Sequence, residues 1–483
     1  MPKCPLSPKA GLDIGHKHIA VEAMSRKVVV IGSGIGGCAI ASLLAKAGCE
    51  VTMLEAHPFP GGRCASMEKQ GFHYDFGVHM FSRGDRGPHG EVNRRLGGDL
   101  KWITRDPACR VIGRVEFDFP LDIKPLMRQV NLARNLGVRA KSYVGAFRLF
   151  RSLLKGDDVE VNDQVCLQDY VSRFTDDEMI HLFINCLSQL FFALSYKEAS
   201  AGEFIWCSSR MFNEACFGYP MGGSGEIPKS FLRGLEGFGG KVHFSEPVVR
   251  IRIENCSVMG VETASGYYPA DIVISNGGIL RTIDLAGREH FPEDYVRKAE
   301  QYRYSNSYVT VKYALERRVV PYPVVFYMPH LPAEEVFRYV EEETVPEDPY
   351  LFMPVPTNHD PDLAPDGKQL VIVGAPAPAG ASGDLCTAIL DRVHDKVCEL
   401  YPDLEAAVLW QSRSTCNDAA ELTGHHAGEA IGLAQTPGQA GILRPELATP
   451  VTGLWLVGAD VGARGIGTEM AAASALRLAD ILK

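Results

Sequence analysis

The sequence lacks three features that would each have indicated a class of protein. It has no apolar run long enough for a transmembrane helix, because its most apolar helix-length stretch, residues 182–194, is short and contains Asn185, Ser188 and Gln189. Its 13 cysteines form no C-x-x-C motif, and no Cys/His cluster has the spacing of zinc ligands, so we predict reduced thiols in a cytosolic protein and no metal site. A formal net charge of −10 argues against nucleic acid as a partner.

The first 23 residues also lack the features of a secretory signal. They contain Pro2, Pro5 and Pro8, and they have no apolar central region. Met24 leads directly into the first predicted strand, so we interpret residues 1–23 as a disordered extension. We accordingly expect a cytoplasmic protein.

The most informative stretch of the chain is residues 27–63. A valine-rich run, residues 27–31, predicts a buried parallel strand, and the sequence GSGIGG follows it at once. In this G-x-G-x-x-G spacing the first glycine allows a tight turn, the second admits a pyrophosphate to the backbone, and the third lets a helix pack against the strand. A second strand, residues 50–54, ends at an acid placed to accept hydrogen bonds from a ribose. The candidate dinucleotide-binding residues are Gly32, Ser33, Gly34, Gly36, Gly37 and Glu55.

Gly61, Gly62 and Arg63 follow that acid after a short gap. The complete pattern resembles the N-terminal signature of the FAD-dependent amine oxidase and phytoene desaturase superfamily. In that superfamily the Gly-Gly-Arg segment lies against the flavin and its phosphates. The resemblance therefore implies FAD as the resident cofactor, with a nicotinamide only as a visiting co-substrate.

The C-terminal part of the chain resembles the second FAD motif of the same superfamily. A predicted strand at 451–457 is followed by Gly458 and Asp460, and the resemblance implies that this acid bonds the ribityl chain. Residues 465–470 open the final helix, and the positive end of its dipole would favour an anionic flavin edge. The further cofactor contacts that the resemblance implies are Val248, Ser275, Gly467, Thr468 and Met470.

Two segments bear on the substrate. Residues 357–368 closely resemble a turn of the type T-x-x-D-P-x-x-A-P-x-G in carotenoid desaturases and isomerases. The chain departs from phytoene desaturases at residues 460–465, where Asp-Val-Gly-Ala-Arg-Gly replaces their usual Thr-His-Pro-Gly run. Arg464 in this segment could bind an acidic substrate group, tune the flavin or form a structural ion pair. The candidate catalytic residues are Glu469, His79 and Arg464.

Residues 124–155 contain eight Lys or Arg and no Asp or Glu. Apolar residues recur among them at roughly helical spacing, so the stretch predicts basic amphipathic helices. Such a surface suits an anionic membrane, although a solvated helical lid fits the same pattern. A cytoplasmic protein that contacts the inner face of a membrane through this stretch would be able to take a lipid substrate from the bilayer.

These patterns together predict an α/β protein. It would have a Rossmann-type FAD-binding domain and an α+β substrate domain, a mixed sheet plus helices, built from two insertions. The FAD-binding domain would comprise residues 24–80, 220–282 and 421–483, and the substrate domain residues 81–219 and 283–420.

The resemblance implies a phytoene desaturase-like FAD-dependent oxidoreductase. It would remove hydride from an isoprenoid polyene at flavin N5, or isomerise it, with a quinone, oxygen or NAD(P) as electron partner. Three alternatives stay open: a flavin amine oxidase, a polyene saturase, and a non-catalytic prenyl-binding protein resembling Rab GDP-dissociation inhibitors.

Overall fold

The computed structural model describes residues 26–77, 80–424 and 427–483. Its strands are β1 (Lys27–Ile31), β2 (Glu50–Leu54), β3 (Ser66–Lys69), β4 (Phe72–Asp75), β5 (Trp102–Ile103), β6 (Cys109–Gly113), β7 (Phe117–Phe119), β8 (Tyr219–Pro220), β9 (Lys241–His243), β10 (Val248–Glu254), β11 (Ser257–Thr263), β12 (Tyr267–Pro269), β13 (Ile272–Ser275), β14 (Ser307–Leu315), β15 (Val324–Met328), β16 (Leu351–Pro354), β17 (Gln369–Ala377), β18 (Val408–Ser414) and β19 (Leu454–Leu456). Its α-helices are α1 (Ile35–Lys46), α2 (Pro88–Leu96), α3 (Leu126–Asn135), α4 (Tyr143–Lys155), α5 (Leu167–Ser172), α6 (Glu178–Phe192), α7 (Ala201–Glu214), α8 (Glu226–Gly237), α9 (Ile279–Ala286), α10 (Glu293–Gln301), α11 (Arg338–Glu341), α12 (Pro356–His359), α13 (Gly383–Leu400), α14 (Leu404–Ala407), α15 (Cys416–Thr423) and α16 (Gly467–Leu482).

The first sheet is parallel, with the strand order β19-β13-β1-β2-β9. Its central strand β1 is buried from Val28 onward, and Val30 pairs with Met53 of β2 and Ile274 of β13. Helix α1 is rich in Ala, Ile and Leu and packs against α8 and α16, so the sheet and these helices share one apolar core. The predicted strands at 27–31 and 50–54 and the helix between them are confirmed, as is the α/β fold class.

The second sheet is mixed, with the strand order β18-β14-β17-β16-β15-β6-β7. Strands β6 and β7 come from one part of the chain and β14–β18 from a much later part. The two groups of strands join where β15 runs parallel to β6, with Phe326 opposite Val111. A larger apolar core unites this sheet with residues of α4, α6 and α7. The two sequence segments therefore build one layer with a shared core.

Two helices from the segments predicted to form the substrate domain pack into the core of the parallel sheet. Helix α2 follows residue 81, yet its buried Val92 and Leu96 belong to the core of the parallel sheet, and the helix packs against α1, α8 and α16. Helix α10 follows residue 283, and its buried Ala299 lies in the same core. Apolar burial thus extends the parallel-sheet unit beyond both predicted boundaries.

The described residues also bear on the membrane and cysteine predictions. Within 26–77, 80–424 and 427–483, the structure contains no helix whose length and apolar character would let it cross a membrane. Eleven of the described cysteines are free thiols.

Candidate active site

A cavity of about 430 Å³ opens at the carboxyl ends of β1, β2, β13 and β19. In parallel α/β sheets this edge is where ligands bind, because loops and helix N-termini converge there. The sequence-predicted residues that line the cavity are Gly32, Gly34, Gly36, Glu55, Gly61, Gly62, Arg63, Val248, Gly458, Asp460, Gly467, Thr468 and Glu469. The structure thus brings together residues from both ends of the chain.

The glycine loop forms a cradle in which side chains would not fit. A Cβ on Gly37 would lie 2.0 Å from the carbonyl oxygen of Gly32, so only glycine lets α1 begin this close to β1. A Cβ on Gly34 would lie 2.6 Å from Nδ2 of Asn276. Gly34 caps α1 without a side-chain hydrogen bond, and the first turn of the helix contains no acid. The backbone N–H groups of this first turn therefore form an anion-binding helix N-terminus, and Gly34 and Gly36 line the cavity.

Glu55 is held in a fixed orientation by its neighbours. Its Oε2 accepts hydrogen bonds from the backbone N and Oγ of Ser33, at 2.7 Å and 2.6 Å, and its Oε1 accepts one from the backbone N of His57 at 2.8 Å. Ser33 is fully buried and is not among the lining residues, so it orients the acid from behind.

The Gly-Gly-Arg segment lies beside the glycine loop. The backbone N of Gly61 donates to the carbonyl oxygen of Ser33 at 3.0 Å, and a turn of 3₁₀ helix follows over Gly62–Cys64. The Arg63 guanidinium donates to the carbonyl oxygen of Glu429 at 2.9 Å and to its Oε1 at 3.2 Å. Glu429 also lines the cavity, and it carries no local sequence signal because its partner lies 366 residues earlier.

Asp460 provides a direct test of whether the cavity fits a ribityl chain. Its Oδ1 accepts a hydrogen bond from the backbone N of Leu433 at 3.0 Å. Its Oδ2 is buried and has no hydrogen-bond partner among the described residues. A buried carboxylate oxygen without a donor is costly, and a ligand hydroxyl would satisfy it. The residues present therefore fit a flavin cofactor, with an unsatisfied acceptor at Asp460 for a hydroxyl group of its side chain.

Helix α16 begins at the cavity and brings Glu469 to it. The Glu469 carboxylate accepts hydrogen bonds from Ser82 Oγ at 2.9 Å and from the backbone N of Arg83 at 3.0 Å. Burial raises the pKa of Glu469, and the positive charge of Arg83 acts in the opposite direction. Ser82 has no sequence signal of its own, although it also lines the cavity.

Two predicted residues, Met470 and Ser275, support the site from behind the lining. Met470 is fully buried in α16. Ser275 accepts a hydrogen bond from Thr282 Oγ1 at 2.7 Å, which fixes the end of β13 to α9. His79, a predicted site residue, lies outside the described residues.

Arg464 is not among the described residues that line the cavity. Its guanidinium binds Asp163 Oδ2 at 2.6 Å and Glu203 Oε1 at 3.1 Å, and all three side chains are largely buried. Of the three sequence interpretations, this geometry supports the structural ion pair. A catalytic role for Arg464 stays a prediction, and its engagement by both carboxylates argues against it.

The end of the cavity away from the glycine loop is apolar. Met80, Leu190, Phe191 and Met211 line it, and the same four residues also line a second cavity of about 40 Å³. The other residues around this second cavity are apolar apart from the thiols of two cysteines and the hydroxyl of Tyr350. The two cavities therefore adjoin across one apolar wall, and the smaller one lies within the core of the mixed sheet.

Comparison with known proteins is consistent with this site. A family model described as flavin-containing amine oxidoreductase matches residues 35–482. The chain is 26% identical over 491 residues to the zeta-carotene-forming phytoene desaturase of Myxococcus xanthus, with 91% of each chain covered. It is 26% identical over 389 residues to prolycopene isomerase 2 of an Oncidium hybrid cultivar, with 72% of this chain and 64% of that protein covered. Among solved structures, an oxidoreductase from Methanosarcina mazei has a TM-score of 0.72 at 21% identity, covers 94% of this chain and 100% of its own, and shares the fold.

The family match begins at the start of α1 and ends in the last helix, and both elements contribute residues to the cavity lining. The cavity edge also provides the donors and acceptors that a flavin cofactor requires. The chain belongs to the flavin-containing amine oxidoreductase family and is a flavin-dependent oxidoreductase.

Proposed function

We propose that the flavin is FAD and that the protein dehydrogenates or isomerises an apolar isoprenoid polyene. The observation that carries the proposal is the pair of adjoining cavities. The larger has a polar end made of backbone and fixed acids, and it shares the apolar residues Leu190 and Phe191 with the smaller, apolar cavity. The similarity to proteins named as a phytoene desaturase and a prolycopene isomerase supports the substrate class.

The polar end supports a dinucleotide form of the flavin. Glu55 would accept hydrogen bonds from the adenosine ribose, and the pyrophosphate would lie at the N-terminus of α1. Asp460 Oδ2 would accept from the ribityl chain. The adenine would lie near Val248, and the ring edge near the N-terminus of α16 at Gly467. This arrangement uses both ends of the cavity edge, which a mononucleotide would not require.

A bound flavin would supply the two-electron chemistry by accepting hydride from the substrate. The chain supplies position and exclusion of water. Leu190, Phe191 and Met211 provide the apolar contacts for a polyene, whose neighbouring double bonds delocalise the positive charge that develops. Glu469 is a candidate proton acceptor facing the cavity, and burial, which raises its pKa, makes its carboxylate a stronger base than an exposed one. His79 remains a second candidate.

The test is the visible spectrum of the purified protein under anaerobic conditions. The bound flavin, released by denaturation, should be FAD. Liposomes carrying a phytoene-type polyene should bleach the flavin absorbance, whereas liposomes carrying a saturated hydrocarbon of the same length should not. Geometric isomers of the polyene without net bleaching would assign isomerisation, and a flavin that stays oxidised with the polyene unchanged would contradict the proposal.

The same experiment identifies the electron partner. After bleaching, a quinone, oxygen and NAD(P)⁺ would be added to separate samples. The class that restores the oxidised spectrum fastest is the acceptor, and we expect it to be one of these three.

A membrane contact is a further part of this proposal. Helices α3 and α4 expose Leu126, Met127, Val144 and Phe147, whose exposed fractions range from 41% to 72%. The stretch is less basic than its sequence, because acids from elsewhere pair with three of its cations: Asp176 and Asp177 with Arg139, Asp176 with Lys141, and Asp157 with Lys155. Exposed apolar side chains beside the remaining arginines suit the surface of an anionic bilayer.

Vesicle co-sedimentation tests this contact. The protein should bind vesicles rich in phosphatidylserine more tightly than neutral vesicles, and replacing Met127 and Val144 together by serine should reduce binding at least about fivefold. Equal binding by this variant would remove α3 and α4 as the docking surface.

A further inference from the structure

A buried lysine lies directly behind the cavity wall. Lys312 is in the middle of β14, where its backbone pairs with Ile372 of β17 and Ser412 of β18, and it is only 1% exposed. Lysine is seldom fully buried, because removing an ammonium from water is costly unless a counter-charge compensates. The contacts of this side chain therefore indicate what the residue does.

The Lys312 ammonium is surrounded by hydroxyl groups. Its Nζ donates to Thr310 Oγ1 and to Ser414 Oγ, each at 2.6 Å, and it lies 5.1 Å from the ring centroid of Phe76. Within the described part of the chain, no carboxylate forms an ion pair with Nζ. Burial lowers the pKa of Lys312 to about 7, and the longer-range fields of Asp418 and Asp75 oppose that decrease. Lys312 is thus able to gain and lose a proton near neutral pH.

Both hydroxyl partners line the main cavity, whereas Lys312 itself does not. Residues i and i+2 of a strand project to the same face, so Thr310 and Lys312 share one side of β14, and Ser414 is the register partner of Thr310 on β18. Phe76 lines the cavity as well. The two hydroxyls therefore connect the buried amine to the space where the substrate would react.

We propose that Lys312, Thr310 and Ser414 form a proton relay that serves the flavin reaction in this cavity. The inference rests on the proposed dehydrogenation and names a proton acceptor for it other than Glu469. As the substrate becomes oxidised, it loses a hydride and a proton, and one C=C bond forms. The hydride carries two electrons to the oxidised flavin, which is the oxidant. The proton passes to one of the two hydroxyls, which gives its own proton to Nζ, so the neutral amine becomes ammonium and later releases the proton to water.

The two acids whose electrostatic fields act on Lys312 are already engaged elsewhere. Asp418, on α15, accepts hydrogen bonds from the backbone N and Oγ1 of Thr415. Asp75, on β4, accepts from Ser66, Ser224 and Tyr219. Neither acid contacts Nζ, so neither holds the lysine permanently charged. A purely structural lysine at this depth would be expected to have such a partner.

The test compares four variants of the FAD-loaded protein. Lys312→Met removes the terminal amine, and the double variant Thr310→Val with Ser414→Ala removes both hydroxyls while keeping the lysine. Thr310→Ser keeps a hydroxyl at the cavity wall. Lys229→Met, at an exposed lysine of α8, controls for loss of a lysine as such. The readouts are the anaerobic rate of flavin bleaching by polyene from pH 6 to 9, and the thermal melting of the flavin-free protein over the same range.

Lys312 acts through other side chains, so the pH profile is the decisive readout. The wild-type rate should rise with pH through a midpoint near pH 7, because the neutral amine is the acceptor. The Lys312→Met variant and the double variant should be slower by about 100-fold, the usual scale of acid–base assistance, and their profiles should be flat. Thr310→Ser and Lys229→Met should keep the wild-type midpoint.

The outcomes separate this relay from the proposed function. If polyene bleaches the flavin of Lys312→Met as fast as that of the wild type, the relay is overturned and the proposed oxidation is not. A wild type that no polyene bleaches would overturn the proposed oxidation and the relay's part in it. Melting gives an independent readout: the difference between wild type and Lys312→Met should change across pH 7, and a difference independent of pH would show that Lys312 does not titrate there and would also overturn the relay.

Discussion

At the carboxyl edge of the parallel sheet the cavity is bounded by backbone, whereas at its other end it is bounded by side chains of α6 and α7. The first region depends on glycines, because a Cβ at Gly37 would collide with the backbone of Gly32 and one at Gly34 would displace the side-chain amide of Asn276. The second depends on the size and apolarity of residues such as Leu190 and Phe191. The comparison teaches that cofactor binding should be intolerant of small changes in the glycine loop, while substrate choice should respond to changes at the apolar end.

Two buried cations, Arg464 and Lys312, differ in the groups that hold them. Arg464 is held by two carboxylates, and since arginine remains charged at all relevant pH values, this pairing is structural. Lys312 is held by two hydroxyls and can lose its charge. The first cation is therefore expected to contribute stability and the second to contribute proton transfer.

The largest expected effect is loss of the cofactor on substitution of Gly37. In Gly37→Val the new Cβ would meet the carbonyl oxygen of Gly32 and force α1 away from β1. The purified variant should contain no bound flavin, as measured by the ratio of visible to ultraviolet absorbance. Gly383→Ala is the matched control, because no neighbour lies within 4 Å of a Cβ at that position, and it should keep full flavin content. Full flavin content in Gly37→Val would contradict the backbone-cradle account.

The next largest effect is expected on stability. Arg464→Met leaves Asp163 and Glu203 buried without their counter-charge, and breaking a buried ion pair costs about 3–5 kcal/mol of unfolding free energy. Denaturant unfolding at pH 7 measures this loss. In the folded fraction the KM for polyene should stay unchanged, and a raised KM with unchanged stability would instead assign Arg464 to the substrate.

A smaller effect should separate the apolar end from the polar end. Leu190→Asp introduces a charge at the junction of the two cavities, which should raise the KM for polyene about tenfold or more while flavin content stays constant. Leu190→Met, which keeps volume and apolarity, should behave as wild type. If the aspartate variant lost its flavin and kept its KM, the division of the cavity into two functional ends would be wrong.

The smallest predicted effect is a pH dependence of stability at Glu469. Burial raises its pKa above the ordinary value of 4.5, so the folded state binds this proton more tightly than the unfolded state. Its contribution to stability is present below pH 4.5 and is lost as pH rises through the folded-state pKa. Glu469→Gln does not titrate, so the melting temperature of flavin-free Glu469→Gln should gain a few degrees on the wild type as pH increases from 4 to 8. A difference that shrinks over this range would contradict the direction of the shift.

The sequence predicted the polar end well because its information is local. The strand, glycines, helix and acid occur within about 30 residues in an order that only a dinucleotide-binding βαβ unit uses, and β1, α1 and β2 lie where they were expected. Each glycine that the turn requires is visible at its own position in the sequence. Residues such as Gly34 and Glu55 could therefore be assigned to the cavity without knowledge of the rest of the fold.

The apolar end and the buried cations could not be predicted in the same way, because their partners are distant in the chain. Lys312 meets Ser414 102 residues later, and Arg464 meets Asp163 301 residues earlier. The basic stretch at 124–155 had no acids of its own, yet Asp176 pairs with two of its cations after folding. Tertiary packing decides these contacts, and the spacing of neighbouring residues in the sequence does not indicate them.

The most direct test of the central claim is an electron-density map of the FAD-loaded protein with a bound polyene. The account predicts the adenosine beside Glu55 and Val248, the flavin ring near the N-terminus of α16, and the polyene along Leu190 and Phe191 toward the mixed sheet. A polyene bound away from Leu190 and Phe191, or a dinucleotide that does not contact the N-terminus of α1, would contradict the proposed binding of cofactor and substrate.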